Sequence, residues 1–162
     1  MRHADAGDAD PRRWPDDRDR PLSDEGRAEH RLVAQALRRM GVSFDRLLSS
    51  PLVRARQTAA ITAEVYGGGE PELTEALGDR ATPEALFGRL RDLGRDQTAL
   101  CVGHEPFLSG LAALLIAPAG RVRIEVLKSG VLVIDCDGHP APGAGTLALH
   151  LRPRELIRLA GT

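Results

Sequence analysis

Four side chains in this sequence are of the types that bind and transfer anionic groups. Each stands where an apolar run gives way to a loop or helix. Arg2-His3 opens the chain, Arg54 follows Ser50-Pro51-Leu52-Val53 after the run Phe44 to Ser49, and His104 follows Gly103 after Thr98 to Val102. In open parallel sheets, ligands bind beyond the carboxyl ends of the strands. Residues at three such ends can face one pocket, where two arginines, two histidines and the N-termini of two helices converge. Such a site suits a dianionic phosphoryl group, because guanidinium forks and helix N-termini both favour phosphate oxygens. Taken singly, Arg54 reads as a solvated helix arginine, His104 as a structural histidine and Arg2-His3 as a frayed terminus. Their combination at three strand ends favours the site.

The elements that must position these residues follow from periodicity and breakers. Ala4 to Arg20 has no apolar period and reads as a long loop, a feature of functional or disordered segments. Ser23 is a capping residue followed by the acidic pair Asp24-Glu25. Leu32, Val33, Ala36, Leu37 and Met40 then recur at helical spacing until Gly41. Ser50-Pro51 predicts a helix capped by Ser50 and ending before Gly67-Gly68-Gly69. Thr82-Pro83 repeats that signal before Leu86, Leu90 and Leu93. Phe107 to Ile116 reads as an apolar helix and Arg154 to Leu159 as a short last one. Phe44 to Ser49, Thr98 to Val102, Ile124 to Leu127, Val131 to Asp135 and Thr146 to Leu151 read as strands. Strand and helix alternate to about residue 116 and strands cluster afterwards. The expected fold is one α/β domain over 1–162, a three-layer α/β/α sandwich with a mostly parallel central sheet and an antiparallel C-terminal element.

Composition removes other classes. The chain has 162 residues, 42% hydrophobic and 28% charged, with a formal charge of −1. That is globular composition, long enough for a substantial core. The balanced charge does not favour nucleic acid as a partner. The longest apolar run, Leu111 to Ala117, is far short of the roughly 20 residues that cross a bilayer, and no signal-peptide core follows Met1. Cys101 and Cys136 give no disulfide or zinc spacing, so a reduced, cytoplasmic setting is the default. His30 is expected on the polar face of the first helix, His139 in a turn and His150 in the last strand, none of them in a chemical motif.

Three segments resemble the signatures of a known family. Met1-Arg2-His3-Ala4, Ser49-Ser50-Pro51-Leu52-Val53-Arg54-Ala55-Arg56-Gln57-Thr58-Ala59 and Val102-Gly103-His104-Glu105-Pro106 are similar, in order and spacing, to those of the histidine phosphatase superfamily, the phosphoglycerate mutase-like enzymes. The small size and Arg20-Pro21-Leu22-Ser23 are most similar to SixA-type phosphohistidine phosphatases. The resemblance implies that His3 is the nucleophile, that Arg2, Arg54 and His104 hold the phosphoryl oxygens, and that Arg20 is an auxiliary contact at the rim. The chemistry agrees. A nucleophilic imidazole needs one bare nitrogen and the other fixed by a hydrogen bond. Phosphoryl transfer needs in-line positioning and neutralised charge, which two arginines and a histidine supply. No cofactor and no metal are expected; Asp5 and Asp8 read as a solvated acidic loop before they read as metal ligands.

The sequence departs from the family pattern twice. Only Met1 precedes Arg2, so the first strand is expected to be truncated, which would weaken the fold and loosen His3; a start upstream of Met1 would account for it. Many members carry an acidic proton donor after the second helix. Glu75 is the best positional candidate, with Asp79 and Glu105 behind it, and a solvated loop residue is the competing reading for Glu75. The leading expectation is a phosphatase acting on phosphohistidine borne by a protein. The alternatives are a small-molecule phosphomonoesterase or mutase of the same superfamily, and a phosphoprotein-binding module with little turnover. Partners are then a phosphorylated protein or a small phosphorylated substrate.

Overall fold

Ser23 starts the first helix as its position predicts: its Oγ accepts from the Gly26 amide at 3.0 Å, and α1 runs Asp24–Arg39. The computed structural model describes residues 1–120 and 122–161. After α1 come β1 (Arg46–Ser49), α2 (Val53–Tyr66), β2 (Glu72–Leu73), α3 (Pro83–Arg89), β3 (Ala99–Val102), α4 (Phe107–Ile116), β4 (Val131–Cys136), β5 (Gly145–Leu151) and α5 (Pro153–Ala160). Single 3₁₀ turns lie at Asp17–Asp19 and Glu75–Leu77. The strands β2-β1-β3 form a parallel sheet, and β4 pairs antiparallel with β5.

Alternation along the parallel strands divides the core into two layers. Leu47 and Val102 pack with Val33, Leu37, Ala55, Ala59 and Leu156 of α1, α2 and α5. Leu48 packs with Leu77, Leu86 and Leu90, against Cys101, Phe107 and Leu111. Helices thus cover both faces, giving the expected α/β/α layering.

The first three residues pair as a short strand-like stub. Arg2 forms a parallel bridge with Gly103; the His3 amide donates to Gly103 O at 3.0 Å and the Gly103 amide to Met1 O at 3.1 Å. On the other flank the Arg2 amide donates to Gly130 O at 3.1 Å and the Ser129 amide to His3 O at 3.2 Å. The stub therefore joins the parallel sheet to the antiparallel pair, with Met1 and His3 both buried. Behind Met1, β3 and β4 flank a cavity of about 460 Å³ lined by side chains such as Leu111, Leu115 and Val133.

Several expectations need correction. Ile124 to Leu127 is not a strand. Its apolar residues mark burial, Val126 above all, but its carbonyls serve side chains: Val126 O accepts from Arg2 Nη1 at 3.0 Å and Glu125 O meets His150 Nε2 at 3.0 Å. The two-residue β2 was missed because so short an edge strand carries no alternation. Helix α2 begins at Val53, not Pro51, because Ser50 Oγ accepts from the Leu52 amide at 3.2 Å and closes a turn before the helix. Helix α3 stops at Arg89, before Leu93. Leu32 and Met40, placed in the apolar period of α1, are exposed, whereas His30 has no exposed surface at all. Helical spacing alone does not say how wide the buried stripe is.

Candidate active site

The stub, the β1–α2 turn and the β3–α4 loop bring His3, Arg54 and His104 together. The rings of His3 and His104 lie 4.9 Å apart, centroid to centroid, inclined at 52°. His3 Nδ1 is 2.7 Å from the carbonyl of Ala4. A carbonyl only accepts, so Nδ1 carries the proton and Nε2 is left bare. Burial drives the His3 pKa down to about 3, and the nearby His104, Arg54 and Arg2 push the same way, against the Ala4 carbonyl. His3 is a neutral imidazole with a fixed tautomer at any physiological pH.

Arg54 enters from the first turn of α2 and is 8% exposed. Its Nη1 donates to Asp17 O at 2.7 Å and lies 3.2 Å from Asp17 Oδ2. Burial lowers its pKa, opposed by the Asp17 carboxylate. His104 follows β3; its Nε2 is 2.8 Å from Ser50 Oγ, and burial holds it at about 4, with Arg54 adding to the effect and Asp79 opposing it. Arg2 is anchored through Nη1 to Val126 O. Among the described residues, four buried side-chain polar atoms have no hydrogen-bond partner, and three are donors of this group: Arg2 Nε, Arg54 Nε and, in its Nδ1–H form, His104 Nδ1. A buried donor without a partner costs free energy, and a phosphoryl oxygen is an acceptor that such donors, on residues whose charges reach His3, suit.

The remaining candidates stand at different distances from this chemistry. Arg20 is committed to bracing the loop: Nε and Nη2 reach both Asp17 carboxylate oxygens at 2.7 and 3.3 Å, and Nη1 donates to Ala6 O and Gly7 O. Glu75 lies in its 3₁₀ turn with its side chain 69% exposed, 3.2 Å from Arg18 Nη2. Asp79 faces the same Arg18 at 3.8 Å, and its charge reaches both His104 and Arg54. Glu105 is tied to Ser109, Oε2 accepting from Ser109 Oγ at 2.6 Å. Asp5 is a partly exposed loop residue that pairs with Lys128 and accepts from Ser23 Oγ at 3.0 Å. Gly26 permits this docking, since a Cβ there would stand 2.1 Å from Asp5 O.

Sequence reasoning missed three site residues. Ser50 contacts His104, Asp17 contacts Arg54, and Thr58 Oγ1 accepts from the Ala4 amide at 3.0 Å while donating to Arg54 O at 2.7 Å. Ser50 and Thr58 lie in the segment around Arg54 and were legible as neighbours of it. Asp17, one of several acidic residues in an aperiodic loop, carried no signal.

Comparison with known proteins places the chain in a family. Residues 1–85 match the family model described as "Histidine phosphatase superfamily (branch 1)". The chain is 34% identical over 126 residues to an uncharacterised protein of Picosynechococcus, covering 76% of each chain. It is 30% identical over 115 residues to a 2,3-bisphosphoglycerate-dependent phosphoglycerate mutase of Parvibaculum lavamentivorans, covering 71% of this chain and 53% of the mutase. Among solved structures it matches the protein histidine phosphatase SixA complexed with tungstate, with a TM-score of 0.81, 28% identity and 96% of each chain covered. The three signature segments and the fold that gathers them therefore have one reading: this chain belongs to the histidine phosphatase superfamily, branch 1, with SixA phosphohistidine phosphatases among its structural neighbours.

Proposed function

We propose that this protein is a metal-independent phosphatase that works through phospho-His3, with phosphohistidine on a protein as its preferred substrate. The observation that carries the reading is the bare Nε2 of His3, fixed by the Nδ1–Ala4 hydrogen bond beside three buried donors. Nε2 attacks phosphorus, the bond from phosphorus to the leaving group breaks, and the phosphoryl group resides on His3. Arg2, Arg54 and His104 neutralise its equatorial oxygens. The leaving imidazole of a phosphohistidine takes a proton from solvent. Water then attacks phospho-His3, inorganic phosphate departs, and Nε2 is bare again.

The substrate preference rests on the acids. A phosphate ester leaves as an alkoxide and benefits from a positioned acid by about 10²–10⁴-fold. An imidazole nitrogen is protonated near neutral pH. Glu75 is exposed and its carboxylate is engaged by Arg18. A second reading, a small-molecule phosphomonoesterase, is favoured by Asp79, whose charge reaches His104, and by the likeness to a phosphoglycerate mutase. The test is turnover of a phosphohistidine-bearing protein against phosphate esters, with and without EDTA. An acid-labile, base-stable phosphoenzyme that disappears in His3→Ala is expected. Full activity in His3→Ala, or inhibition by EDTA reversed by a divalent ion, overturns the mechanism.

A further inference from the structure

His30 lies fully buried between α1, α2 and the turn before β4, and both ring nitrogens have partners. Nε2 is 2.9 Å from Thr62 Oγ1 and Nδ1 is 3.1 Å from Ser129 Oγ. Thr62 gives its one hydroxyl proton to Thr58 O at 3.0 Å, so towards the ring it can only accept. Nε2 therefore carries the proton, and Nδ1 accepts from the Ser129 hydroxyl. Nothing in the phosphoryl chemistry above uses this imidazole, and a leucine would fill a buried space of similar size.

What His30 holds is the frame of the nucleophile. Ser129 is the one non-glycine residue with a left-handed backbone among the described residues, φ 59°. Its amide donates to His3 O at 3.2 Å, and Gly130 O accepts from the Arg2 amide at 3.1 Å. A Cβ on Gly130 would stand 2.8 Å from Leu127 O, so the turn is closed as tightly as the chain allows. On the other side, the Thr62–Thr58 contacts lead to the Ala4 amide, held by Thr58 Oγ1 at 3.0 Å. The Ala4 carbonyl is the group that orients the His3 ring.

We propose that His30 is a positioning residue: through Ser129 on one side and Thr62–Thr58 on the other, it fixes the backbone flanking His3 and so the direction of His3 Nε2. The inference rests on the phosphatase reading for its kinetic expression. Misplacing a reacting group by about 1 Å costs on the order of 10²-fold.

The experiment compares His30→Leu, His30→Gln, His30→Asn and Ser129→Ala by steady-state kinetics, thermal melting and the ¹⁵N ring resonances of His3. Asn can place its Oδ1 where Nδ1 accepts from Ser129; Gln keeps only the donor towards Thr62. We expect His30→Leu and His30→Gln to lower kcat by about 10- to 100-fold with KM within about threefold, and His30→Asn to recover most of the loss. Ser129→Ala should match His30→Leu, and the double variant should lose little more, as coupled sites do. A folded His30→Leu with wild-type kcat overturns the proposal. If His30→Leu does not fold, Ser129→Ala decides, and wild-type kcat there overturns it. A wild-type protein with no turnover on phosphohistidine or ester sinks the phosphatase reading instead. In that case shifted His3 ring resonances in the variants uphold the positioning role and unchanged ones overturn it.

Discussion

Asp17 closes on Arg54 twice, its carbonyl accepting from Nη1 at 2.7 Å and its Oδ2 lying 3.2 Å from the same nitrogen. Its side chain is half exposed and is also paired with Arg20, whose hydrogen bond holds its carboxyl below the usual range. An anion is thus already engaged with the guanidinium that the proposed mechanism offers to an incoming phosphoryl group. Arg54 is buried but the Asp17 carboxylate is half exposed, and a pair open to solvent on its carboxylate side carries on the order of 1 kcal/mol, so substrate can displace it. Asp17→Asn removes the competing charge and keeps the carbonyl contact. KM for a dianionic substrate should fall, on the order of fivefold or less by that magnitude, with kcat little changed. A rise in KM would mean that Asp17 positions Arg54 and does not compete with substrate.

Arg54 presents a buried, planar guanidinium fork at the candidate site. Loss of one preorganised donor to a developing oxyanion costs about 10²–10³ in rate. Arg54→Ala should show that loss in kcat, and Arg54→Lys should recover only part of it, because an ammonium lacks the planar fork. Rapid-quench measurement of phosphoenzyme formation locates the defect: a slowed phosphorylation step is expected. An Arg54→Ala enzyme within about threefold of wild type would remove Arg54 from the oxyanion group.

The parts of this site that sequence made legible are those with distinctive chemistry at strand ends. Arg2, His3, Arg54 and His104 stand out because guanidinium and imidazole groups punctuate apolar runs, and the helix that carries Arg54 ends at a breaker, Gly67, φ 69°. What stayed hidden depends on three-dimensional register. His30 occupies a helix position whose neighbour Leu32 is exposed, and periodicity cannot decide which of the two points inward. Its partner Ser129 lies 99 residues away. The stub's value was likewise invisible, because its hydrogen bonds come from Gly103 on one side and from Ser129 and Gly130 on the other.

His104 should take up a proton when an oxyanion binds. In the free site burial holds it at about 4, so it is neutral near pH 6. A dianion beside it favours the imidazolium, raising its pKa, and that cation is the form that neutralises phosphate. His3, at about 3 and with Nδ1 already donating, stays neutral. Sulfate is a dianion that does not itself titrate in this range. Calorimetry of sulfate binding in two buffers of different ionisation enthalpy should therefore report uptake of a fraction of a proton, approaching one, and none in His104→Gln. Zero uptake in the wild type would show that His104 acts as a neutral donor.

Acid should destabilise the fold in the window between the ordinary histidine range and the depressed values. His30 is held at about 4 and His3 at about 3, each by burial first, against an ordinary 6.5. Below about pH 6.5 the unfolded chain binds protons that the folded chain refuses, so stability is complete above that pH and falls as pH drops towards 4. For His30 alone the shift corresponds to roughly 3 kcal/mol at its full extent, at about 1.4 kcal/mol for each pH unit. Urea unfolding at pH 7.5, 6, 5 and 4.5, read with the linkage relation, should show that decline. In His30→Leu, if it folds, the slope should be smaller by about one proton. An unchanged slope would mean that His30 is not buried neutral.

The substrate class turns on which carboxyl, if either, serves as acid. Glu75 is placed by sequence where other members carry a donor, yet its side chain is 69% exposed and bound to Arg18 at 3.2 Å. Asp79 shares Arg18 at 3.8 Å and is the carboxylate whose charge acts most on His104. A working acid must reach the leaving group, and both carboxylates face Arg18 instead. Glu75→Gln should therefore change kcat/KM for a phosphohistidine-bearing protein less than about twofold, since the departing imidazole is protonated by solvent. Asp79→Asn should leave that substrate similarly untouched. On phosphate esters the wild type should be slow, and neither substitution should bring the full loss, about 10²–10⁴-fold, that removing a working acid causes. The ratio of kcat/KM for the two substrate classes, taken in wild type and both variants, is the measurement. Esters turned over faster than phosphohistidine in the wild type, with collapse in Glu75→Gln, would make Glu75 the acid; collapse in Asp79→Asn would give that role to Asp79. Either result would make small phosphomonoesters the substrate.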